Sequence, residues 1–190
     1  MIITISGVPG SGKTSVGHIL AARLGMRFTS VGELRGQMAR ERNMTIAELN
    51  ALGETDPVTD TQVDDYQRKL GATDDKLVME GRLSWYFIPN SFKILLLCDP
   101  QEAATRLFQA QRAHTDKEQS DEPAYPSIEA TRLAIETRIA SDSTRYKKHY
   151  NLENYLAPEH YDLVIDSTGS PGPQTSADRI LAEMKNRQLI

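Results

Sequence analysis

Five short apolar runs punctuate a chain whose remaining residues mix polar and apolar positions. They fall at residues 2–6 (IITIS), around 27–30 (RFTS), 77–80 (LVME), 93–98 (KILLLC) and 162–166 (DLVID). Three of them are almost wholly apolar, as expected of strands covered on both faces of a parallel sheet. Between the runs, apolar residues recur at helical spacing over 13–24, 33–43, 59–70, 101–112, 128–150 and 175–187. This alternation predicts a doubly wound α/β sheet. Two stretches break it. Residues 33–75 hold polar helices around an acidic middle, GETDPVTDTQVDD, and residues 113–127 are charged and carry two prolines. Both read as insertions on the sheet, the second as a mobile loop of the kind that forms a lid.

The turn after the first strand carries the strongest chemical signal. Residues 7–14 read GVPGSGKT, which matches G-x-x-x-x-G-K-[ST] in full. Because the match lies between a strand and a helix, it predicts a phosphate cradle. Gly7, Gly10 and Gly12 allow the tight turn that aims backbone N–H groups at phosphate oxygens, and the start of helix 13–24 adds its partial positive charge. Lys13 reaches the β- and γ-phosphates, and Thr14 is placed to ligate Mg²⁺. The donor site is therefore expected over Gly7, Val8, Pro9, Gly10, Ser11, Gly12, Lys13, Thr14 and Ser15. The guanine-reading pattern N-K-x-D is absent, and motor or AAA-type ATPases need more chain. A small-molecule kinase fits the length.

Further candidates lie beside the predicted strand ends. Glu80 ends an apolar strand, where a carboxylate can hold Mg²⁺ through water. Arg82 follows across Gly81, and its planar fork suits an acceptor phosphate. Arg138, Asp142 and Arg145 stand at i, i+4 and i+7, on one face of helix 128–150. They lie next to the apolar stripe of Ile128, Ile135, Ile139 and Tyr146, which favours a pocket wall over a solvated ion-pair row. Asp60, Asp64 and Gln67 share the same spacing on the acidic insertion, where a base or ribose pocket and a solvated acidic face fit equally well. Arg106 and Arg112 are open in the same way, as donor contacts or as a charged helix face.

These segments together resemble the nucleoside monophosphate kinases, and most of all the short, archaeal-type cytidylate kinases. The resemblance runs over nearly the whole chain, through GVPGSGKT, SVGEL (30–34), DPVTDTQVDDYQ (56–67), LVMEGRL (77–83) and RIASDSTRYKKHYN (138–151). It implies a three-layer α/β/α P-loop kinase fold with a five-stranded parallel sheet, in one domain spanning 1–190. The core would take 1–31, 76–112 and 128–190, a helical monophosphate-binding insertion about 32–75, and a lid about 113–127. It implies ATP as donor, Mg²⁺ as cofactor and CMP or dCMP as acceptor. UMP, AMP or a small metabolite are the alternatives, as is a binding module that hydrolyses ATP slowly.

The resemblance assigns acceptor roles to Ser30, Gly32, Arg35, Asp60, Asp64, Gly81, Arg82, Arg138, Asp142 and Arg145. Within that set Arg138 and Asp142 would hold the acceptor sugar and Arg145 phosphate, while Arg106 and Arg112 would contact ATP. Lys13, Arg82 and Arg145 would be catalytic. The family arginine of the first insertion falls at Gly36, with Arg35 one position earlier, and Leu83 stands where longer bacterial relatives carry an aspartate.

Composition adds exclusions. The chain has 190 residues, 39% hydrophobic and 25% charged, with a net charge of −4. That is a soluble globular balance, with no charge argument for nucleic acid. The one cysteine, Cys98, sits in an apolar run and reads as a small buried hydrophobe. No run approaches membrane-spanning length, and no charged leader precedes the first strand. A cytoplasmic monomer acting on small-molecule nucleotides is the expectation.

Overall fold

The computed structural model describes residues 1–55, 58–113 and 124–190. Five strands, β1 (Ile2–Gly7), β2 (Arg27–Ser30), β3 (Leu77–Glu80), β4 (Phe92–Leu97) and β5 (Leu163–Asp166), form one all-parallel sheet in the order β2-β3-β1-β4-β5. The apolar runs are apolar for the expected reason. In β3, Val78 packs with Ile3, Ile5 and Leu20, while its neighbours Leu77 and Met79 pack with Val31, Val63 and Ile88. Alternate side chains thus enter two cores, and each fully buried Leu, Ile or Met is worth about 1.5–3 kcal/mol.

Helices α1 (Lys13–Leu24) and α8 (Pro173–Asn186) cover one face, with Val16, Leu20, Ile180 and Met184 against the sheet. The other side carries α6 (Pro100–Ala113) and α7 (Ile128–Tyr150), joined through Ala103, Ala104 and Ile135. A short helix, α5 (Ser84–Phe87), brings Trp85 and Phe87 into an aromatic cluster with Tyr146 and Tyr155.

The insertion after β2 holds three helices: α2 (Val31–Glu41), α3 (Ile46–Thr55) and α4 (Val58–Thr73). The first starts two residues before the predicted 33, because Ser30 caps it by accepting from the Glu33 N–H at 3.3 Å. Helix α3 is not among the elements that apolar spacing predicts, yet its start is written as a capping box. The Glu48 carboxylate accepts from the Thr45 N–H at 2.7 Å, and Thr45 Oγ1 accepts from the Glu48 N–H at 3.1 Å. Residues 114–123 of the expected lid over 113–127 lie outside the described ones, as do Asp56 and Pro57 of the acidic middle.

Register sets the functional end of the sheet. Ile5 and Ser30 both pair with Glu80, so the C-terminal ends of β1, β2 and β3 lie level. Ligands of open α/β sheets bind at such ends.

Candidate active site

The loop from β1 to α1 is held by sterics that only glycine meets. A Cβ at Gly7 would lie 2.1 Å from the Leu96 carbonyl oxygen, and one at Gly10 would lie 2.4 Å from that of Ala103. Gly10 also sits at φ +79, in the left-handed region. With the backbone held this way, Ser11 Oγ donates to the Val8 carbonyl at 2.8 Å, and Lys13 Nζ donates to the same carbonyl at 2.9 Å.

Lys13 Nζ also stands 4.0 Å from Glu80 Oε1. Burial pushes its ammonium down to about 8; Glu80 opposes that, and Arg82 and Arg138 add to it. A cation destabilised by burial and by neighbouring cations marks a place built for an anion. Glu80 itself is pinned, since Ser30 Oγ donates to its Oε2 at 2.6 Å. Among the described residues no three His, Cys, Asp or Glu side chains could jointly hold a metal. A carboxylate lining the same cavity as Thr14 suits Mg²⁺, which keeps most of its waters and takes substrate phosphate oxygens.

Beyond Glu80 runs a chain of alternating charges. Asp142, 2% exposed, accepts a hydrogen bond from Arg145 Nη2 on Oδ1 at 2.7 Å and forms an ion pair with Arg82 Nε through Oδ2. Arg145, 3% exposed, continues to Asp60 Oδ1 at 3.4 Å, and Arg35 meets the same oxygen at 2.6 Å. Three distant segments, the end of β3, helix α7 and the insertion, are tied together by this network. Burial alone would lower the Arg82 pKa, but Asp142 above all holds it above its ordinary value. Arg138, one turn earlier on α7, is pushed down to about 10, first by Arg82 and then by burial.

Together these groups wall a cavity of about 350 Å³, within the range of small-ligand sites. Lys13, Thr14, Ser30, Gly32 and Arg35 line it, as do Glu80, Gly81, Arg82, Arg138 and Arg145. Arg35, rather than Gly36, is thus the residue that α2 presents. Asp60 and Asp64 face the same space, so the acidic face of α4 is a cavity wall and is not solvated.

Two placements differ from expectation. Asp142 is not a lining residue. It lies beneath the arginines, because two guanidinium groups removed from water need a counter-charge. Arg112 is exposed over the Phe108 ring, 5.4 Å from its centroid, and lines neither the main cavity nor the recess that Gly12 and Ser15 border. Arg106 does reach the loop's outer side. It donates to the Ser167 carbonyl at 2.8 Å and to Ser167 Oγ at 3.2 Å. There it lines a second recess of about 270 Å³ with Gly12, Ser15, Ser170 and Pro171.

Tyr150, Phe87 and Val63 also line the main cavity and were not singled out as site residues from the sequence. Tyr150 stands four residues after Tyr146, on the stripe already drawn, and that spacing was the available signal. Its hydroxyl donates to Asp64 Oδ2 at 2.6 Å. Burial nevertheless pushes the Asp64 carboxyl up to about 6, with Tyr150 opposing the shift and Asp60 adding to it.

A raised carboxyl pKa means that charged Asp64 costs stability above about pH 6, and that this cost vanishes below about pH 4. Asp64→Asn is therefore expected to stabilise the protein by on the order of 2 kcal/mol at pH 7.5 and by almost nothing at pH 4. Urea unfolding at the two pH values measures this; an equal effect at both would show that the carboxylate carries no burial cost.

Comparison with known proteins agrees with this geometry. A family model described as AAA domain matches residues 3–134, which include the P-loop. Cytidylate kinase of Methanocorpusculum labreanum is 36% identical over 168 residues, covering 88% of this chain and 87% of that protein. Cytidylate kinase of Methanobrevibacter smithii is 29% identical over 185 residues, covering 97% and 99%. Among solved structures, shikimate kinase from Bacteroides thetaiotaomicron superposes with a TM-score of 0.64 at 13% identity, covering 97% of this chain and 98% of that one. An uncharacterized protein from Eubacterium ventriosum gives 0.67 at 16% identity, with the same coverage. Likeness at such identities speaks for the P-loop kinase fold alone. Relatives above 30% identity over 88% of the chain decide what the fold leaves open: the chain belongs to the cytidylate kinase family of P-loop nucleoside monophosphate kinases.

Proposed function

We propose that the protein transfers the γ-phosphoryl group of ATP to CMP, and to dCMP as a second acceptor. The observation that carries this is one cavity in which the P-loop lysine, Arg82 at the end of β3, and Arg138 and Arg145 of α7 converge. Phosphoryl transfer needs little covalent help, and catalysis comes from positioning and charge neutralisation. Lys13 would leave the Val8 carbonyl for the β- and γ-phosphates of the donor. Arg82 and Arg145, held at fixed angles by Asp142, would flank the acceptor phosphate and the group in flight. Arg35 and Arg138 would complete the acceptor's phosphate clamp. The donor base would lie on the outer side of the loop, in the recess walled by Arg106 and by the Ser167–Pro171 turn.

Thr14, and Glu80 through water, would hold Mg²⁺, which when bound neutralises charge on the β- and γ-phosphates. No side chain need act as nucleophile, because the acceptor phosphate oxygen attacks. That the relatives are cytidylate kinases supports cytosine as the acceptor base.

A panel of CMP, dCMP, UMP, AMP and shikimate, run at fixed ATP in a coupled ADP-release assay, tests this reading. CMP and dCMP are expected to give the highest kcat/KM. The reading is overturned by ADP release that no monophosphate accelerates.

A further inference from the structure

The α4 wall of the cavity carries two polar side chains that phosphate binding does not use. Asp60, Asp64 and Gln67 stand on successive turns of α4, all on one face. Asp60 is committed to Arg35 and Arg145 and marks the phosphate end. Gln67 lies seven residues on, roughly 10 Å along the helix axis, and Ser84 Oγ donates to its Oε1 at 2.8 Å. Asp64 and Gln67 are 7% and 2% exposed, and both line the cavity. Each already has one protein partner and lines the cavity, so the partner for its remaining polar atom would be a ligand.

Their free valences are chemically distinct. Asp64 receives the Tyr150 hydroxyl on Oδ2, so its other oxygen is left to accept. Gln67 receives the Ser84 hydroxyl on its carbonyl oxygen, so its NH₂ is left to donate. The rings of Phe87 and Tyr150, packed edge to face with centroids 5.5 Å apart, line the same cavity and give a planar base apolar surface to lie against. On the reading that this cavity is the acceptor site, we propose that Asp64 and Gln67 read the acceptor base as an acceptor–donor pair.

Cytosine presents an exocyclic amino donor beside a ring nitrogen that accepts, which matches a carboxylate beside an amide NH₂. Uracil presents the reverse, a carbonyl oxygen beside a ring N–H. Bound in the same pose, it would set its O4 against the carboxylate and its N3–H against the amide donors. Sites that hydrogen-bond a substrate group reject analogues lacking it strongly, because buried groups are then left unpaired. Leu83, which lines the cavity without a polar group, takes no part in this reading.

The test is kcat/KM for CMP and UMP in the wild-type protein, Asp64→Asn, Gln67→Glu and the double variant. The wild type is expected to favour CMP by about two orders of magnitude or more. Asp64→Asn keeps an oxygen for Tyr150 and turns an NH₂ toward the base. It should lose CMP activity by about 30-fold while UMP activity rises, and Gln67→Glu should do the same from the other side. The double variant should prefer UMP. Asp64→Asn relieves a buried charge, so misfolding does not obscure its result.

A wild type that turns over CMP and UMP equally overturns the inference. So do variants that lose both activities in parallel, with the CMP-to-UMP ratio unchanged within about threefold; in either case the kinase reading stands. A wild type that uses no monophosphate removes the kinase reading itself, and this inference with it.

Discussion

Lys13→Ala is expected to lower kcat by at least two to three orders of magnitude with the fold intact. Removing one preorganised group aimed at developing charge costs about 10²–10³ in rate, and Lys13 is the P-loop cation nearest Glu80. Structural damage should be small. Its ammonium makes one hydrogen bond, to the Val8 carbonyl, and a 4.0 Å contact with Glu80. Its pKa is lowered by burial to about 8, below its unfolded value, so at neutral pH the folded protein carries a cation it disfavours. Alanine removes that penalty, and thermal unfolding of the variant at pH 7 should lie at or above the wild-type midpoint. Turnover near wild type would sink the phosphate-cradle assignment; a large drop in the unfolding midpoint would contradict the electrostatic account.

Asp142→Ala carries the second large effect, and it separates two accounts of one residue. Were Asp142 a ribose contact, its loss would weaken the acceptor and leave stability nearly unchanged. In the structure it is the counter-ion between Arg82 and Arg145. Removing one partner of a buried ion pair typically costs 3–5 kcal/mol, because the remaining charge stays buried and uncompensated. The variant should therefore lose about 3–5 kcal/mol of stability as well as acceptor turnover, since both arginines lose their anchor. Urea unfolding decides: a loss below about 1 kcal/mol would return Asp142 to the sugar. A second variant, Asp142→Ala/Arg145→Met, removes one of the stranded cations and should recover part of the stability.

Much of this was legible in the chain. The five apolar runs became the five strands within a residue of their expected ends, because burial on both sheet faces leaves few polar positions to mislead. GVPGSGKT needed only its place between β1 and α1. Spacing also put Arg138, Asp142 and Arg145 on one helix face and brought that face to the cavity. Helical periodicity gives a direction and no depth, however. It could not say that Asp142 sinks beneath the two arginines while Arg138 stays at the surface of the cavity. The acidic insertion was ambiguous for a related reason: Asp60 looks solvated until Arg145, 85 residues away, is folded against it. Tyr150 and Ser84 became site residues only through partners on α4, and such cross-chain hydrogen bonds leave no mark on local pattern. Helix α3 was legible through its Thr45–Glu48 box but not through its apolar spacing.

The central claim is that phosphate passes from ATP to a pyrimidine monophosphate in the cavity between the P-loop and α4. Phosphorus NMR of the protein with Mg²⁺, ATP and CMP measures it directly. The account predicts that ATP signals decline as those of ADP and CDP grow in equal amounts, with no inorganic phosphate beyond the background. Inorganic phosphate released at the same rate with or without CMP, and no CDP, would contradict it.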